Sequence, residues 1–210
     1  MFEDRINAGK KLANLLLFYK KSPEVVVLAI PRGGVVVAKA LSDTLHLPLK
    51  CLVTKKLGAP ENKELAIGAV GPGGVKYLDE DLIRRLGIDK KYIARQLKNK
   101  YKEVKKREQD LGEYNFNQKD KSKTVILVDD GIATGATVIA ATLFLRKIGK
   151  KIIVAVPVIA KDNFEKISKI VDRLISVEVA DDFSAVGQFY RTFSQISDLD
   201  VIKILSSSNI

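Results

Sequence analysis

The chain has almost none of the side chains that run thiol, imidazole or zinc chemistry. Its 210 residues include one cysteine, one histidine, one methionine and no tryptophan. A lone cysteine, Cys51, excludes an internal disulfide, and its place in the apolar run Leu49–Val53 reads as core. The lone histidine, His46, precedes Leu47-Pro48 at an expected helix end. So sparse a supply leaves no zinc cluster and no Cys–His or Ser–His pair. No apolar run approaches the roughly 20 residues that a bilayer-crossing helix needs. Met1 to Lys11 lacks the basic-then-apolar design of a secretory signal, so the expected location is the cytoplasm. Neither Gly9-Lys10 nor Gly71-Pro72-Gly73-Gly74 completes a nucleotide P-loop or a G-x-G-x-x-G fingerprint. Internal repeats and low-complexity stretches are also missing.

What is present is a well-mixed globular composition, 46% hydrophobic and 29% charged, long enough for one sizeable core. The expectation is a single domain over residues 1–210. The formal net charge is +11. Such a field draws in anions. A phosphate-rich small molecule and a nucleic acid both satisfy it, and a bound metal, if any, would be a hard, oxygen-liganded ion.

The centre of the chain is Val125-Ile126-Leu127-Val128-Asp129-Asp130-Gly131-Ile132-Ala133-Thr134-Gly135-Ala136-Thr137. Four apolar, mostly β-branched residues run into two carboxylates, then a Gly/Thr-rich turn, then a helical pattern through Arg146. This predicts a buried parallel strand with two acids at its carboxyl end, followed by a helix whose N-terminus can hold an anion. Gly131 and Gly135 let the backbone close round a phosphate, and Thr134 and Thr137 add hydroxyl donors. Two acids beside an anion cradle need a reason, and a sugar phosphate supplies one. Vicinal ribose hydroxyls donate to Asp129 and Asp130 while the turn holds the 5′-phosphate.

A second unit has the same design. Val25–Ile30 is an apolar run of strand length, Pro31-Arg32-Gly33-Gly34 is a turn, and Val35–Leu45 reads as helix. Adjacent glycines permit close backbone approach to a ligand, and Arg32 can fork onto phosphate oxygens.

At these residues the sequence resembles the type I phosphoribosyltransferases, whose signature is a hydrophobic strand, two acids and a Thr-Gly loop. Pro-Arg-Gly-Gly, Lys-Leu-Gly-Ala-Pro and Ala-Val-Gly-Gln resemble most the bacterial "predicted phosphoribosyltransferase" group, over roughly residues 22–195. Gly131 stands where an aliphatic residue is usual. Ala133 replaces an acid that purine-salvage members carry as a proposed general base.

The resemblance implies transfer of a phosphoribosyl group from phosphoribosyl pyrophosphate to a nucleobase-like acceptor, with Mg²⁺ and release of pyrophosphate. Asp129 and Asp130 are the implied catalytic pair. Gly131, Thr134, Gly135, Ala136 and Thr137 hold the 5′-phosphate, and Arg32, Gly33 and Lys56 bind pyrophosphate. Ile132, Ala133 and Gly34 complete the implied substrate-binding set. No set of direct metal ligands emerges: Mg²⁺ is held mainly through the substrate, with Asp129 or Asp130 reached via water. Phe183, in the aromatic segment Phe183–Asp198, is the candidate that stacks on a base. Two rivals remain: a regulator on the same fold that senses phosphoribosyl pyrophosphate or binds nucleic acid, and a phosphohydrolase. Nucleic acid is the less favoured partner, a membrane is not expected, and a homodimer is compatible.

Around these units, residues 4–20 predict an amphipathic helix and Leu49–Val53 a strand. Residues 54–64 predict a polar loop able to close over the site. Leu65–Val70 and Val75–Leu78 predict a hairpin, Asp79–Leu86 a short helix, and Asp89–Leu111 a long helix with a basic outer face. Lys151–Val156 predicts a strand ended by Pro157, then Lys161–Ile170 a helix and Val171–Val179 two short strand pieces. Ser197–Asp200 predicts the cap of a helix over Leu199–Leu205. Alternating strands and helices argue an α/β fold, a mostly parallel twisted sheet flanked by helices. A small hood is expected from 55–115 and 180–196.

Overall fold

A computed structural model describes residues 1–207. The apolar runs become strands and the periodic segments become helices in the order the sequence suggests. Helix α1 (Arg5–Asn14) leads into β1 (Val25–Ala29), α2 (Gly34–Leu45) and β2 (Leu49–Cys51). Then come β3 (Lys55–Gly58), β4 (Ala66–Val70), β5 (Lys76–Leu78), α3 (Glu80–Arg85) and the long α4 (Lys90–Leu111). The chain closes with β6 (Thr124–Val128), α5 (Ala136–Lys147), β7 (Lys151–Ala160), α6 (Lys161–Ser168), β8 (Arg173–Ala180) and α7 (Asp198–Ser206).

Five strands form an all-parallel sheet in the order β2-β1-β6-β7-β8. Its strands are apolar throughout because both faces are covered. Val25, Val27 and Ala29 of β1 pack with α2 on one face, while Val26 and Leu28 join the core under α5 on the other. The chain passes from β1 outward to β2 and later returns to β6 on β1's other flank. A crevice therefore opens beyond the carboxyl ends of β1 and β6, where strand order reverses. Both glycine-rich turns lie there.

A second, antiparallel sheet, β3-β4-β5, stands beside the first. Helix α4 lays its apolar stripe on it, with Val104 and Leu111 buried and the Tyr101 hydroxyl donating to the Gly74 carbonyl at 2.8 Å. Its basic residues face outward, apart from Arg107, which is buried and pairs with Asp198 at 3.0 Å. Helix α7 has the expected cap: the Asp200 N–H donates to the Ser197 hydroxyl, and the Ser197 N–H to the Asp200 carboxylate.

Four sequence expectations change. The first helix ends at Asn14, and Leu17–Tyr19 is a separate 3-10 turn. The 54–64 segment is only partly loop, since Lys55–Gly58 pairs with β4. Pro157 does not end β7; the ladder to β8 passes from Val156–Ser176 to Val158–Glu178, so the absent proline N–H is not required. The two expected pieces over Val171–Val179 are one strand, β8.

Candidate active site

The Pro31–Gly34 turn packs directly on the acids at the end of β6. A Cβ on Gly34 would lie 2.9 Å from the Asp129 Cα and 3.0 Å from the Val128 carbonyl, and one on Gly33 would collide with the Asp130 carboxylate. Only glycine lets these turns close on each other, which brings Arg32 and both acids to one cavity.

Asp129 and Asp130 differ in environment. The Asp130 N–H donates to Asp129 Oδ1 at 2.9 Å. Burial, and then the charge of Asp130, push the Asp129 carboxyl well above the usual carboxylate range; the Asp130 N–H, Lys56 and Arg5 oppose this. Asp130 is held on two sides. Arg5 Nε donates to its Oδ2 at 2.8 Å, and the Tyr190 hydroxyl donates to its backbone carbonyl at 2.6 Å. Arg5 Nη1 also donates to the Ser194 carbonyl at 2.8 Å, and its guanidinium lies 3.7 Å from the Phe193 ring centre. Burial and the Asp130 charge raise the Tyr190 hydroxyl above its usual range.

The bend after the acids is pinned from outside and open within. The Ile132 N–H donates to the Val158 carbonyl and the Ile132 carbonyl accepts from the Ala160 N–H, while Asn163 Nδ2 donates to the Ala133 carbonyl at 2.6 Å. Gly135 caps α5 with φ +74°, a left-handed conformation that side chains disfavour. The N–H groups of Thr134, Gly135, Ala136 and Thr137, and both threonine hydroxyls, have no acceptor among the described residues. They stand at a helix N-terminus, where partial positive charge favours an anion.

Thr134, Gly135 and Thr137 line a cavity of about 200 Å³ together with Pro31–Gly33, Lys56 and Asp129–Ala133. It adjoins a second cavity of about 750 Å³ that shares Arg32, Gly33, Lys56, Asp130, Ala133 and Thr134 and adds Arg5, Asn62, Glu64, Phe193 and Gln195. Of the residues expected from sequence, Arg32, Gly33, Lys56, Asp129, Asp130, Gly131, Ile132, Ala133, Thr134, Gly135 and Thr137 meet in the first cavity. Gly34 lies behind it against Asp129, and Ala136 is buried in a cluster with Ala66, Ala69 and Ala140.

Phe183 is the misplaced expectation. It lines neither cavity, and its ring packs 4.9 Å from that of Phe189 in a cluster with Val158 and Ala180. Phe193 is the aromatic that faces the larger cavity. Arg5 and Tyr190 carry no local mark in the sequence. An arginine in the first turn of an amphipathic helix looks like any solvated cation.

Residues 3–194 match the family model described as the phosphoribosyl transferase domain. The chain belongs to the phosphoribosyl transferase family. Its fold is shared with the protein TT1426 from Thermus thermophilus, at 36% identity and TM-score 0.77, covering 98% of this chain and 97% of that one. A Mycobacterium tuberculosis H37Rv protein named "Putative phosphoribosyl transferase Rv0571c" is 36% identical over all 210 residues, which make up 47% of its length. The chain thus spans about half the length of the curated relatives it matches. A 57-residue stretch, 26% of the chain, is 49% identical to ribose-phosphate pyrophosphokinase of Pyrococcus furiosus, covering 20% of that protein. No helix among the described residues is long and apolar enough to cross a membrane.

Proposed function

We propose that this phosphoribosyl transferase family member transfers the phosphoribosyl group of phosphoribosyl pyrophosphate to a nucleobase-like acceptor and releases pyrophosphate. One observation carries the reading: three unpaired amides, of Thr134, Gly135 and Thr137, and two free hydroxyls line a cavity that also presents Asp129 and Asp130. An anion beside two carboxylates is tolerable when the acids bind hydroxyls of the same molecule. The local likeness to an enzyme named for ribose phosphate supports that choice of ligand.

In this mechanism Thr134–Thr137 hold the 5′-phosphate, and Asp129 and Asp130 accept from the ribose hydroxyls. Arg32, the Gly33-Gly34 backbone and Lys56 bind the pyrophosphate. As the anomeric C–O bond to pyrophosphate breaks, positive charge grows on the ribose ring beside the two carboxylates. Catalysis is then mainly positioning and electrostatics. The larger cavity takes the acceptor, with Phe193 as the aromatic available to it. Ala133 offers no general base, so the acceptor's proton leaves by another route.

The residues fit Mg²⁺ only as a substrate-borne ion. Among the described residues no three His, Cys, Asp or Glu side chains cluster as metal ligands. Asp129, whose burial beside a second acid disfavours its charged form, would gain from a nearby cation, through water. Bound Mg²⁺ would neutralise the departing pyrophosphate.

The test is a screen of purine and pyrimidine bases with phosphoribosyl pyrophosphate and Mg²⁺, reading pyrophosphate release. Base-dependent release is expected. Tight binding of phosphoribosyl pyrophosphate without turnover of any base would instead indicate a ligand-sensing protein. Absence of binding would overturn the reading.

A further inference from the structure

Arg5 stands against every local preference. It lies in the first turn of α1, where the helix dipole opposes a cation, and its side chain is only 9% exposed. Tertiary structure alone holds it there. The N-terminal segment and the tail are laced together: the Phe2 N–H donates to the Phe189 carbonyl at 2.7 Å, the Arg191 N–H to the Phe2 carbonyl at 2.9 Å and the Thr192 N–H to the Glu3 carbonyl at 2.9 Å. This lacing puts the guanidinium between the Phe193 ring, the Ser194 carbonyl and the Asp130 carboxylate.

We propose that Arg5 is a positioning residue of the active site. Its Nε engages one Asp130 oxygen and fixes the carboxylate's rotation, leaving the other oxygen for a ribose hydroxyl, and its charge offsets one of two adjacent acids beside an anionic substrate. This inference rests on the ribose-phosphate reading of the site.

The electrostatic setting requires such a group. The charged and titratable side chains that share these cavities with Asp130 are Asp129 next to it, Arg5 from α1, Arg32 from the β1–α2 turn, Lys56 from β3 and Glu64 ahead of β4, with the Tyr190 hydroxyl on its backbone carbonyl. The proposed function commits Arg32 and Lys56 to pyrophosphate. Arg5 is the cation bonded to Asp130 itself, through Nε, which fixes the carboxylate's rotation as well as its charge. Without it, Asp130 loses its bonded cation and the two neighbouring carboxylates repel more strongly.

The experiment is calorimetric titration of phosphoribosyl pyrophosphate with Mg²⁺ into the wild type, Arg5→Gln and Arg5→Lys at neutral pH, with thermal melting alongside. Arg5→Gln is expected to bind about tenfold more weakly, the scale of one charge-assisted hydrogen bond. Arg5→Lys keeps the charge without the planar fork, so it should bind with intermediate affinity. Should Arg5→Gln fail to fold, an Arg5→Lys variant that binds as tightly as the wild type would overturn the role. A lowered melting temperature with unchanged affinity would show a merely structural residue and overturn it too. A wild type that binds no phosphoribosyl pyrophosphate would defeat the functional reading beneath it, an outcome distinct from unchanged binding in the variants.

Discussion

Replacing Asp130 by alanine should damage binding and folding by separable amounts. The carboxylate accepts from Arg5 at 2.8 Å, and the paired side chains are only 16% and 9% exposed. Deleting it strands a nearly buried guanidinium, and breaking such a pair from one side costs about 3 kcal/mol. For a chain of this size that is about 6–12 °C in melting temperature. The lost acceptor for a ribose hydroxyl costs about 2 kcal/mol of binding, roughly thirtyfold in Kd for phosphoribosyl pyrophosphate. The double variant Arg5→Met/Asp130→Ala removes both charges and should recover most of the stability but none of the affinity. Differential scanning calorimetry and isothermal titration measure the two quantities. A single variant that melts like the wild type would refute the weight given to the ion pair, and an unchanged Kd would refute the ribose contact.

Three other outcomes are expected. The Asp129 carboxyl has a raised pKa in the folded chain, so folding takes up protons between the ordinary carboxylate range and that raised value. Stability should therefore fall as pH rises through this window and stay lower above it; urea melts over a pH series should show the slope in the wild type and lose it in Asp129→Asn. Gly135→Ala should cost about 1–2 kcal/mol for the left-handed backbone, with its Cβ pressed 3.2 Å from Asn163 Oδ1 and Ile167 Cδ1, and chemical denaturation would detect it. Phe183→Leu should lower stability by about 1 kcal/mol and leave acceptor KM alone. Phe193→Leu should raise acceptor KM about threefold to tenfold; steady-state kinetics with the reverse pattern would restore Phe183 to the acceptor site.

The strand, acids and bend of the candidate site were legible because they are contiguous. A strand, two acids, a glycine bend and a helix start are local features, and 125–137 specifies them through periodicity and turn chemistry. The same holds for 25–34 and for the Ser197–Asp200 cap. Errors came where pairing overrides local signals. Lys55–Gly58 reads as polar loop, yet β4 supplies its backbone partners. Pro157 reads as a stop, yet the ladder has no use for its N–H.

By itself the sequence determined the α/β class, the two glycine-rich turns and the acids at the end of the central strand, since each depends on neighbours within a few positions. Only the tertiary structure decided that Gly33 lies against Asp130, that Phe193 and not Phe183 faces the larger cavity, and that Arg5 reaches an acid 125 positions away. Contacts between distant segments leave no periodic trace in either one, because chain crossing and packing, not local backbone preference, bring them together.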